Sequence, residues 1–81
     1  MEEKKVVYED EYVVVETTGR NYDFIATIQN KTNTTLNCFI GKDEERSHLL
    51  KANDWIGILA NDEGYWELNL IEENGISYEQ L

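Results

Sequence analysis

Seven carboxylates, Asp54, Asp62, Glu63, Glu67, Glu72, Glu73 and Glu79, fall within residues 52–81, where there is no lysine or arginine. All seven basic residues lie at or before Lys51. Trp55, Leu59, Trp66, Leu68 and Leu70 are interleaved with these acids, so the segment reads as folded and half-buried rather than as a solvated tail. Carboxylates in such density can serve as an acid and base pair, ligate a hard cation, or meet the Lys and Arg of another protein. Asn61-Asp62-Glu63-Gly64, even with Asp54 nearby, is too short for the roughly six or more oxygens of a calcium loop and reads as a hairpin turn. Hydrolysis by paired acids needs a deep cleft, for which a meander of 81 residues has little room.

Nucleophilic chemistry would fall to Cys38, the single thiol, activated by His48, the single imidazole. Cys38 sits in an apolar alternating run that points it at the core, whereas His48 lies beside a charged loop, so no dyad is expected. One Cys and one His also fall short of a closed zinc site. The reading is therefore of a protein that is not an enzyme, with no cofactor and no metal.

The acidic surface remains. On an extended strand, alternate side chains project about 6.7 Å apart, a scale comparable to the roughly 3.4 Å between successive phosphates of a nucleic acid strand. Asp54, Asp62, Glu63, Glu67, Glu72 and Glu73 are the expected charge donors to a basic partner, with Tyr65 and Tyr78 adding contact area. The expectation is a non-enzymatic acidic binding protein, an inhibitor that docks its anionic face on the basic groove of a nucleic-acid-handling protein in the manner of a DNA mimic. Frequent Asn and Ile, with Lys preferred to Arg, suit an AT-rich coding source such as a low-GC bacterium or its phage. The alternative is a small assembly subunit that self-associates through Ile25 and Phe39 or through a strand edge. Acidity also serves plain solubility.

A net charge of −10 and a pI near 4.3 argue against direct contact with nucleic acid or an anionic membrane. An apolar fraction of 41% with nine aromatics supports a packed core, and the length suits one domain over residues 1–81. Met1-Glu2-Glu3-Lys4-Lys5 leads into an alternating segment without a long apolar run, from which a cytoplasmic location is expected. The sequons at Asn30 and Asn33 read as turn residues.

Positioning the acids requires a scaffold, and proline is absent, so Gly, Asn and Asp clusters punctuate the chain. Residues 12–17 form a β-branched strand, residues 19–21 a turn, and residues 22–29 a strand with Tyr22, Phe24, Ala26 and Ile28 on one face. A turn at residues 30–33 predicts a hairpin with residues 36–40, pairing Ile28 with Leu36, Ala26 with Cys38 and Phe24 with Ile40, and setting Ile25 opposite Phe39. Lys42 and Arg46 are expected to pair locally with Asp43, Glu44 and Glu45, ahead of a short strand at residues 48–51. Residues 55–60 are apolar on both faces, which predicts a central strand covered on each side, hairpinned through residues 61–64 to a strand at residues 65–71. Asn74-Gly75 suits a type I′ turn before a last strand at residues 76–78. Tyr22, Phe24, Trp55 and Trp66 are assigned to the core. The expected fold class is all-β, a small antiparallel β-sandwich or partly open barrel of six to seven short strands in meander or hairpin order.

Overall fold

In the computed structural model, which describes residues 4–18 and 23–81, the β-branched and aromatic runs form seven strands among the described residues. They are β1 (Val6–Glu9), β2 (Val13–Thr17), β3 (Phe24–Asn30), β4 (Leu36–Ile40), β5 (Arg46–Leu50), β6 (Trp55–Leu59) and β7 (Ile76–Gln80), with one helix, α1 (Asp62–Asn74), between β6 and β7. Two antiparallel sheets result, one in the order β1-β2-β3-β6 and the other β5-β4-β7, and they do not close into a barrel. Tyr22 and the turn expected at residues 19–21 lie outside the described residues.

Period-two alternation sets the core. Val13 and Val15 on β2, Ala26 and Ile28 on β3, and Leu36, Cys38 and Ile40 on β4 are all fully buried, joined by Leu50, Ile58, Ile71 and Ile76. Their partners differ from those expected. Ile28 pairs with Val15 and Ile56 in the first sheet, while Leu36 pairs with Leu50 and Gln80 in the second, so the hairpin between residues 22–29 and 36–40 does not exist. Both runs still face each other, but across the layers rather than along a ladder.

Asn30 makes the corner. Its side chain is fully buried, and Nδ2 donates to the carbonyls of Thr34 at 2.9 Å and of Leu50 and Lys51 at 3.1 Å each. Oδ1 accepts from the Thr32 amide at 2.9 Å and the Thr32 hydroxyl at 2.7 Å. One side chain thus ties the end of β3 to the start of the next connection and to the exit of β5. Ile25 and Phe39 consequently lie in different sheets, each half-buried, and do not form a joint apolar patch.

A second polar contact joins the layers at the opposite side. Asp10, in the turn between β1 and β2, accepts the amides of Tyr12 and Val13 on Oδ1, at 2.8 and 3.0 Å. Its Oδ2 accepts the hydroxyls of Tyr8 at 2.7 Å and of Tyr78, from β7 in the other sheet, at 2.5 Å. Burial by itself would raise the Asp10 pKa, but these donors outweigh it and hold the carboxyl below its ordinary 3.8. Burial, and then the same carboxylate, push the Tyr8 and Tyr78 hydroxyls above their ordinary 10.0.

A pH profile follows. Stability contributed by Asp10 is present above the unfolded carboxyl range and is lost as pH falls through the lowered folded value; that from the tyrosines is complete below pH 10.0 and is lost as pH rises beyond it. Asp10→Asn should therefore flatten the acid limb of a plot of urea midpoint against pH, and Tyr78→Phe should shrink the alkaline limb. An acid limb of unchanged slope in Asp10→Asn would refute the assignment.

The doubly apolar strand β6 is not central. It is the edge of the first sheet, with Trp55 and Leu59 each 52% exposed on its outer face. An apolar stretch reports preference for cover, not its presence, and here cover comes from one ring: Phe24 lies over Gly57, where a Cβ would fall 2.4 Å from its ring carbons. Phe24 also meets Trp55 edge-on, ring centroids 6.1 Å apart. Gly57 therefore makes room for Phe24, and Trp55 belongs to the surface.

Candidate functional site

Residues 65–71, expected as a strand, belong to α1. Asn61 has extended backbone and its Oδ1 accepts the Gly64 amide at 2.8 Å, an N-cap, while its carbonyl accepts the Tyr65 amide at 3.0 Å. Asp62 and Glu63 in the first turn favour the positive end of the helix dipole. Gly75, with φ 73°, closes the helix by donating its amide to the Ile71 carbonyl at 2.8 Å. Glycine with positive φ suits either a hairpin turn or a helix stop, which is why Asn74-Gly75 reads both ways. The signal that separates them is the spacing of the inner face, where Gly64, Glu67, Leu68 and Ile71 recur at three, four and seven.

Glu67 is the largest revision among the expected docking residues. It is 3% exposed and points inward, where the Nε2–H of His48 donates to its Oε1. Arg46 Nε stands 3.9 Å from its other oxygen, and Arg46 Nη1 reaches Glu63 at 3.6 Å. A buried carboxylate needs such partners. Arg46 is thus paired with the helix rather than with its neighbours in the charged loop. These groups line one wall of a cleft of about 150 Å³, whose other wall is the Gly57, Ile58 and Leu59 segment of β6.

Cys38 and His48 are cross-strand neighbours on β4 and β5, and Tyr78 stands on the other side of Cys38. Burial, with the Asp10 carboxylate adding to it, pushes the thiol up to about 11, so it is held protonated, and the imidazole is engaged by Glu67. Among the described residues no group of three or more His, Cys, Asp or Glu is placed to hold a metal ion, and no helix is long and apolar enough to cross a membrane.

The remaining expected docking residues are exposed. Asp54 sits in the turn before β6, its Oδ1 accepting the Trp55 amide at 2.8 Å. Asp62 and Glu63 mark the start of α1, and Glu72 and Glu73 its end. Between them stand Tyr65, 57% exposed, and Trp66, 41% exposed; Trp66 is in line with Asp62 and Glu73 at helical spacing, while Glu63 turns toward Arg46. Trp66 is therefore surface rather than core. Tyr78, by contrast, is partly buried, tied to Asp10 and tilted against Tyr12 with ring centroids 4.8 Å apart. The acids do not form a strand-spaced row; they bracket an aromatic pair over about 16 Å of helix, at a rise of about 1.5 Å per residue.

No protein-family model matches the chain, and neither a curated protein nor a solved structure matches it.

Proposed function

We propose that this is a non-enzymatic binding protein that docks the outer stripe of α1 on a basic surface of another protein, of the kind that handles nucleic acid, and thereby blocks it. One observation carries the reading: two exposed aromatics flanked at both ends by paired carboxylates, on a helix without a basic residue. Aromatics are enriched at the centres of interfaces, and a ring of this kind packs well under an arginine or lysine. Paired acids at either end steer and orient the approach of a cationic surface.

The position of Glu72 and Glu73 adds weight. Both stand in the last turn, where the helix dipole disfavours negative charge and no basic residue relieves it. Their cost to the fold suits a role outside it, and it also makes a clean test. Glu72→Lys with Glu73→Lys should stabilise the helix, by about 0.3–1 kcal/mol at each position. The same double variant should weaken binding to a basic partner, recovered on the immobilised protein at low salt and then purified, by about tenfold and flatten its dependence on salt. Unchanged affinity and salt slope in a variant that is at least as stable would sink the proposal.

A further inference from the structure

The edge of β6 offers a second surface, which meets α1 at the first turn of the helix. The Asn30 amide donates to the Asp54 carbonyl at 2.8 Å, which marks these residues as a hydrogen-bonded pair of the β3–β6 ladder. By the alternation of an antiparallel ladder, Ile56 and Ile58 then turn their backbone groups toward β3, and Trp55, Gly57 and Leu59 turn theirs away from the sheet. Two of those outward groups are satisfied locally: the Trp55 amide by Asp54 Oδ1, and the Leu59 carbonyl by the Asn61 amide at 2.9 Å. By the same alternation the Trp55 carbonyl, both groups of Gly57 and the Leu59 amide face away from β3, and the cleft runs alongside Gly57 and Leu59.

Edge strands are ordinarily guarded by charge, proline or a bulge. β1 has a register shift between Val6 and Tyr8, β5 carries Arg46 and His48, and β7 carries Glu79. β6 reads Trp-Ile-Gly-Ile-Leu, without charge or proline, and the register shift of its ladder lies at one end, between Phe24 and Ala26 of β3.

We infer that β6 accepts an extended, basic segment of a partner protein as a fifth strand of the first sheet. Backbone hydrogen bonds centred on Gly57 hold it, and its alternate side chains pack beside Trp55 and Leu59. Charge selects the occupant. Asp54 stands at one end of β6 and Asp62 at the other, with Glu63 beside it engaged by Arg46, so a segment with β-branched residues in the middle and Lys or Arg at its ends is matched at those ends.

The test uses the full chain and the synthetic peptide Lys-Arg-Val-Thr-Val-Thr-Val-Lys-Arg. Titration should shift the amide resonances of Gly57 and Leu59 and protect them from exchange. Two N-methylated peptides, one modified on the three valines and one on the two threonines, each block one edge of the added strand while leaving charge and side chains in place. One of the two should bind about tenfold or more weakly than the parent and the other about as well, because a single edge faces β6. Leu59→Lys, which places a guarding charge on an exposed position, should weaken the parent peptide without unfolding the protein. Equal binding by both methylated peptides, no binding by the parent, or shifts confined to α1 would overturn the inference. So would a homodimer in sedimentation that Leu59→Lys dissociates.

Discussion

Gly64→Ala should destabilise this protein by about 3 kcal/mol or more, against the rule that alanine improves a helix by up to about 1 kcal/mol over glycine. Gly64 lies in the first turn of α1 and is buried against β6, where a Cβ would fall 1.7 Å from the Leu59 carbonyl oxygen and 2.8 Å from its carbon. The obstructing atoms are backbone in a sheet, and no rotamer change removes them. The helix must lift away from β6, which disturbs the Asn61 cap three residues before it and the contact of Glu67 with His48 one turn later. For a domain of this size, about 3 kcal/mol corresponds to a fall of roughly 12 °C or more in Tm. Thermal and urea denaturation measure it directly, and an unchanged or higher Tm would show that the helix is not seated this closely. The consequence reaches function, since the stripe bearing Tyr65 and Trp66 is held in place by that seat.

Asn30→Ala is the second large effect, expected at about 3 kcal/mol from urea denaturation. The side chain donates to three carbonyls and accepts twice from Thr32, and it does so fully buried. Truncation leaves the Leu50 carbonyl without this donor inside the corner. Asn30→Asp makes a sharper comparison, because a carboxylate still accepts from Thr32 but faces three carbonyl oxygens it cannot serve. It should be at least as destabilising as alanine. If aspartate were tolerated, the donor bonds to Thr34, Leu50 and Lys51 would not be what closes the corner. The same burial keeps the Asn30 amide, the first residue of a glycosylation sequon, inaccessible in the folded protein.

These two residues also explain where the expected pairing departed from the observed one. A turn at residues 30–33 was legible, but a turn can return a strand along its own sheet or carry it across to the facing one. The choice depended on what Asn30 could reach, and two of its partners lie some twenty residues away. β6 shows a different limit: composition reported that both faces prefer cover, and the sheet order left one face open. Glu67 shows a third, since a lone carboxylate in an acidic segment carries no local mark of burial until Arg46 and His48 are brought beside it.

The positions of β2 to β7, the buried faces of β3 and β4, the burial of Cys38 and the charge asymmetry about Lys51 were determined by the sequence alone. Each follows from side-chain type and a period of two, which act within a few residues. Which strands share a sheet, that residues 62–74 coil into a helix, that β6 is an edge, and which acids meet solvent were decided by the tertiary structure. Those outcomes rest on hydrogen bonds and close packing between distant segments, whose energies exceed the local preferences they override.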